Sequence, residues 1–102
     1  MPFQLKTFDF DEYTILRLAP TGPGVYGIAN SERWIYIGDA GNLERVLLRH
    51  LHKMETDIEQ RNPTVFTWEG SFVPRRADRK IALIRELNPL LLTLPVQTTL
   101  GE

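Results

Sequence analysis

The chain of 102 residues carries a net charge of −1, with 42% hydrophobic and 25% charged residues, an ordinary balance for one globular domain. It has no cysteine, which excludes disulfides and thiolate metal sites. No apolar run follows a basic stretch in Met1–Glu12 and none approaches bilayer-spanning length, so a soluble, cytoplasmic protein without membrane contact is the expectation.

In chain order, residues 1–8 read as an extended lead-in. Asp9, with Glu12 three residues on, fits a capping box and predicts a short helix from Phe10 to about Leu18. Phe10, Tyr13, Ile15 or Leu16 would then face the core. The prolines and glycines of Ala19–Gly24 break the chain. Two short strands follow, Val25–Ala29 and Trp34–Gly38, joined by a polar turn at Asn30–Arg33. Alternation turns Tyr26 and Tyr36 away from their aliphatic neighbours. Paired as a hairpin, the strands carry both phenols on one face, near the start of the next helix.

That helix begins at Asn42, a good cap, and its apolar stripe runs Leu43, Val46, Leu47, Leu51, Met54, Ile58. Arg45, Arg49, His52 and Lys53 fall off the stripe and His50 on its border. Arg61-Asn62-Pro63 ends the segment, and Thr64–Phe72 reads as a third strand. A last helix starts at Arg75 or Arg76, with Ala77, Ile81, Ile84 and Leu87 or Asn88 as its apolar line, and stops at Pro89. Leu90–Leu94 is a short strand or packed coil. The layout is α+β: a small three-stranded antiparallel sheet flanked by helices, in the order helix, strand, strand, helix, strand, helix. It fills one domain, 1–102, whose core is about 20–92, with 1–8 and 95–102 peripheral.

Charge is unevenly spread. Near neutrality argues mildly against a strong non-specific nucleic-acid binder. Yet Arg75, Arg76, Arg79, Lys80 and Arg85 form a basic block diluted by Asp78, and Arg45, Arg49, His50, His52 and Lys53 form a second. Each group reads either as a solvated helix face or as a surface for phosphates.

GVY at 24–26, YIG at 36–38, Asn42-Leu43 and His50 together resemble the GIY-YIG nuclease family. TVFTWE and RRADRKIALIRELNP also resemble its third strand and following helix. The resemblance implies hydrolysis of a DNA phosphodiester, with a tyrosine helping to deprotonate water, an arginine binding phosphate and a glutamate holding one divalent metal. Such a phenol, whose ordinary pKa is about 10, needs nearby positive charge to serve as a base. By this resemblance the candidate catalytic residues are Tyr26, Tyr36, Arg45 and His50. Those for nucleic acid, DNA above all, are Arg49, Arg75, Arg76, Arg79 and Lys80.

The chain departs from the family's pattern. Without a gap, the arginine position falls on Val46. A shifted loop at Asp39–Gly41 would instead give the phosphate role to Arg45 and put Arg49 in place of the histidine. The glutamate, three residues before Leu83-Ile84, is replaced by Lys80, which has no lone pair for a metal in its charged form. The asparagine expected after the helix-ending proline is missing, since Pro89 is followed by three leucines; Glu69 and Glu86 are the nearest carboxylates. Three readings follow. The first is a catalytically degenerate domain that binds DNA or another phosphate-bearing partner, with no cofactor. The second is an active endonuclease using Mg²⁺ or Mn²⁺, and the third is a protein-interaction module on the same fold.

Overall fold

The computed structural model describes residues 7–52, 56–70 and 75–91. Within them run β1 (Phe8–Asp9), α1 (Glu12–Leu18), β2 (Gly24–Ala29), β3 (Trp34–Ala40), α2 (Leu43–His52), α3 (Thr56–Glu59), β4 (Val65–Gly70) and α4 (Arg75–Leu87). The sheet is antiparallel throughout, in the order β1-β4-β2-β3.

β2 lies between two neighbours and under helices, so all six of its residues are buried. This is why GVYGIA is an unbroken run of apolar and small residues. The α+β reading holds, and the expected three strands gain a fourth at the edge. Phe8–Asp9, read as lead-in, pairs with Phe66 and Val65, and the Phe8 ring lies 5.2 Å from Trp68 and 5.9 Å from Phe66. Because Asp9 belongs to that strand, Asp11 caps α1 instead, accepting the Thr14 N–H at 2.8 Å. Those hydrogen bonds hold the Asp11 carboxyl below its ordinary pKa. Phe10 and Ile15 are buried, whereas Tyr13 and Leu16 face solvent.

β3 runs two residues past its expected end, pairing Asp39 with Val25 and Ala40 with Gly24. Asn42 Oδ1 accepts the Arg45 N–H at 3.0 Å and caps α2. The ungapped register therefore holds: Leu43, Val46, Leu47 and His50 are buried while Arg45 and Arg49 are exposed. The loop shift that would have turned Arg45 inward is absent, because Asp39 and Ala40 are fixed in the sheet. α2 closes at His52. Met54 and Lys53 lie outside the described residues, as do Phe72 and Leu92–Leu94, and Ile58 is buried on α3.

α4 shows a different inner face from the one its apolar spacing predicts. Ile81 and Ala77 are exposed, and Leu83 is fully buried with Ile84 and Leu87 beside it. Arg76, Arg79 and Lys80, half-buried, continue that inner face toward the helix start. Asn88, at φ 51°, ends α4 in the left-handed conformation that asparagine tolerates, donating its N–H to Ile84 O. Leu90 and Leu91 then donate N–H groups to the Trp34 and Ile35 carbonyls, so the start of the Leu90–Leu94 run lies along β3.

The sheet separates two apolar clusters. Tyr26, Ile28, Ile35, Phe66, Leu43, Val46 and Leu47 pack on the α1–α2 side, and Val25, Ile37 and Leu83 on the α4 side. Gly24 sits where these layers close most tightly. A Cβ there would collide with the Glu69 carbonyl oxygen and lie 2.7 Å from Leu43 Cδ1. Backbone in the middle of a sheet cannot yield. Gly24→Ala is expected to destabilise the fold by about 1–3 kcal/mol in urea denaturation, and an unchanged midpoint would contradict this packing.

Candidate functional site: an aromatic cluster and an ion lattice across one sheet

The β2–β3 register sets the first group. Tyr26 stands opposite Gly38, and Tyr36 is its diagonal neighbour on the same face. The two phenol rings are 6.2 Å apart. α2 lays His50 over both, at 5.4 Å from the Tyr26 ring and 5.9 Å, edge-on, from that of Tyr36. The Tyr26 hydroxyl and His50 Nε2 form a buried hydrogen bond of 2.7 Å. With Nε2 as acceptor, the phenol donates, and the imidazole stands ready to take its proton. Gly38 makes the arrangement possible, because a Cβ there would lie 2.6 Å from Tyr26 Cζ. The partner of the phenols is thus the last turn of α2 rather than its start.

The second group lies on the other face. Val25 alternates with Tyr26 and is flanked in register by Asp39 on β3 and Glu69 on β4. α4 covers these two carboxylates with its inner cations. Arg76 Nε lies 3.2 Å from Asp39 Oδ2 and Lys80 Nζ 3.2 Å from Oδ1, and Arg76 Nη1 donates to Ala40 O at 2.7 Å. Arg79 grips Glu69 with two bonds, 2.7 Å from Nε and 2.9 Å from Nη2. That fork–fork contact pushes the Arg79 guanidinium still higher in pKa.

The fold has counterparts in solved structures. The GIY-YIG N-terminal endonuclease domain of UvrC from Thermotoga maritima, bound to magnesium, matches with a TM-score of 0.61 and 26% identity, over 74% of this chain and 92% of that one. A point mutant of that domain, bound to its catalytic divalent cation, matches at 0.62 and 26%, over 74% and 91%. The chain shares the GIY-YIG fold of these domains. Among curated proteins, UvrABC system protein C of Hydrogenobaculum sp. is 38% identical over 52 residues, and that of Aquifex aeolicus 45% over 47. Those matches take in 51% and 46% of this chain but 9% and 8% of the relatives, so the chain spans under a tenth of their length. No family model matches.

Within this GIY-YIG-like fold the structure brings Tyr26, Tyr36 and His50 together and leaves Arg45 outside. Arg45 lies about 140° round α2 from His50, on the exposed face, and Val46 fills the inward position. Arg49 is exposed on the same helix, and the side chain of Arg75 lies outside the described residues. Arg76, Arg79 and Lys80 do not form a solvated block, since acids of the sheet engage all three.

Lys80 stands where the family resemblance leads one to expect a metal-binding glutamate, and the two carboxylates facing α4, Asp39 and Glu69, are engaged by arginine or lysine. Among the described residues, no group of three or more His, Asp or Glu side chains is placed to hold a metal. Asp39 is the participant that sequence reasoning missed. The continued alternation from Ile37 to Asp39 was the available signal, obscured by reading Asp39–Gly41 as loop.

Removing one hydroxyl tests the cluster. Tyr26→Phe takes from the buried His50 its 2.7 Å partner and is expected to cost about 1–3 kcal/mol in thermal or urea unfolding. A variant as stable as wild type would mean that the bond contributes nothing.

Proposed function

We propose that this GIY-YIG domain binds nucleic acid, DNA above all, through phosphate contacts, and does not cleave it by a divalent-metal mechanism. The observation that carries this reading is the Lys80–Asp39 pair, 3.2 Å apart, at the position where the family places its metal carboxylate. An ammonium there repels a cation and attracts a phosphodiester as a point charge. Tyr26 and His50 then act as a shared hydrogen-bond pair that fixes Tyr36 and the β3 edge in place. The nucleic-acid-binding candidates on this reading are Arg76 and Lys80 on α4 and Arg49 on α2. Arg79 holds the helix to β4.

A second reading keeps catalysis, and the 2.7 Å Tyr26–His50 contact favours it, because a phenol beside an imidazole has a route for its proton. The water-activating group would then be Tyr26 or Tyr36, with His50 assisting.

Plasmid nicking and fluorescence anisotropy separate the two. Purified protein is expected to leave plasmid intact with Mg²⁺ or Mn²⁺ and to bind a labelled DNA duplex with affinity that falls steeply as salt rises. Nicking that follows Mn²⁺ concentration and disappears in Tyr36→Phe would replace the binding reading with the catalytic one.

A further inference from the structure

The ion lattice on the α4 face is unevenly balanced. Arg79 and Glu69 cancel, whereas Arg76 and Lys80 share the single carboxylate of Asp39. Among the described residues, this group of two cations and one carboxylate carries one surplus positive charge at the junction of β3, α4 and the loop into α2. The three side chains are half-buried, with 21% of Arg76, 33% of Lys80 and 26% of Asp39 exposed, so solvent reaches them. Gly41, at the same corner, carries no side chain to shield the guanidinium. A Cβ there would lie 3.8 Å from Arg76 Nη1, with nothing nearer. Arg76 spends Nε on Asp39 and Nη1 on the Ala40 carbonyl, and a guanidinium carries five N–H donors in all, an ammonium three.

We infer that Arg76 and Lys80 form a binding site for one phosphodiester group, with Asp39 as the resident anion that holds the two cations in place and competes with the ligand. The inference rests on the nucleic-acid reading above and assigns to it one contact and one restraint. A phosphodiester bears a single negative charge, which matches the surplus. Its two non-bridging oxygens can accept from the remaining donors of both cations while Asp39 keeps its own bonds. Asp39 thereby sets the affinity. It orders two long side chains before the ligand arrives, yet its charge weakens the field that the phosphate meets.

Two probes and three variants test this on the full chain. With inorganic phosphate as probe, the Arg76 Nε–Hε resonance is expected to shift on titration, and the shift to disappear in Lys80→Gln. With a labelled DNA duplex, Arg76→Gln and Lys80→Gln are each expected to reduce the steepness of log K against log salt by about 0.9. Asp39→Asn should tighten binding by about two- to fivefold, the range of a partly exposed ion pair. Circular dichroism confirms that each variant is folded. Phosphate that leaves the Arg76 resonance unmoved overturns the site, and so does an unchanged salt slope in both folded cation variants, while the nucleic-acid reading survives either result. A phosphate response without any DNA binding supports the site and overturns that reading. Weaker binding in Asp39→Asn overturns the competing role of Asp39.

Discussion

The contact on which the rest depends is electrostatic: two sheet carboxylates, Asp39 and Glu69, held under three cations of α4. Half-buried ion pairs are costly unless each partner is matched, and here register does the matching. Asp39 and Glu69 flank Val25 on adjacent strands, so they present negative charge in one line across the sheet. The spacing of Arg76, Arg79 and Lys80 on one side of a helix meets that line. Leu83 continues the same face as apolar packing against Val25 and Ile37. α4 is thus joined to the sheet by charge at its first turns and by hydrocarbon further along.

The opposite face obeys a different constraint, that of space. Gly38 admits the Tyr26 ring across β3, and His50 closes over it from α2. Neither Gly24 nor Gly38 is there for a turn. Each leaves room for a close approach, Gly24 to the Glu69 carbonyl and Gly38 to a phenol. The aromatic cluster and the ion lattice therefore share β3 while lying on opposite faces of the sheet. Lys80 lies on the α4 side of the sheet, against Asp39, and not beside the phenols.

Much of this was legible in the residues. The break at Ala19–Gly24, the Asn30–Arg33 turn and the Asn42 cap marked element ends because each depends on local backbone chemistry. The placing of Tyr26 and Tyr36 on one face followed from period-two alternation, whereas their contact with His50, in the last turn of α2 rather than its start, did not. What escaped notice was non-local. β1 exists because Phe8 finds Phe66 and Trp68, which a two-residue segment cannot announce. The inner face of α4 was misread because arginine and lysine count as outward-facing until their partners on distant strands are known. Asp39 was hidden by the same rule.

Strand edges invite pairing with other chains, and β3 forms one edge of this sheet. At its start, Leu90 and Leu91 occupy the outward carbonyls of Trp34 and Ile35, just beside Tyr36. The segment that follows α4 is therefore a latch on the margin of the aromatic cluster as well as a cover for an exposed border. Displacing it would bare backbone acceptors and loosen the phenol-bearing strand in a single event, so the integrity of the cluster is tied to a stretch of chain that contributes no reactive group.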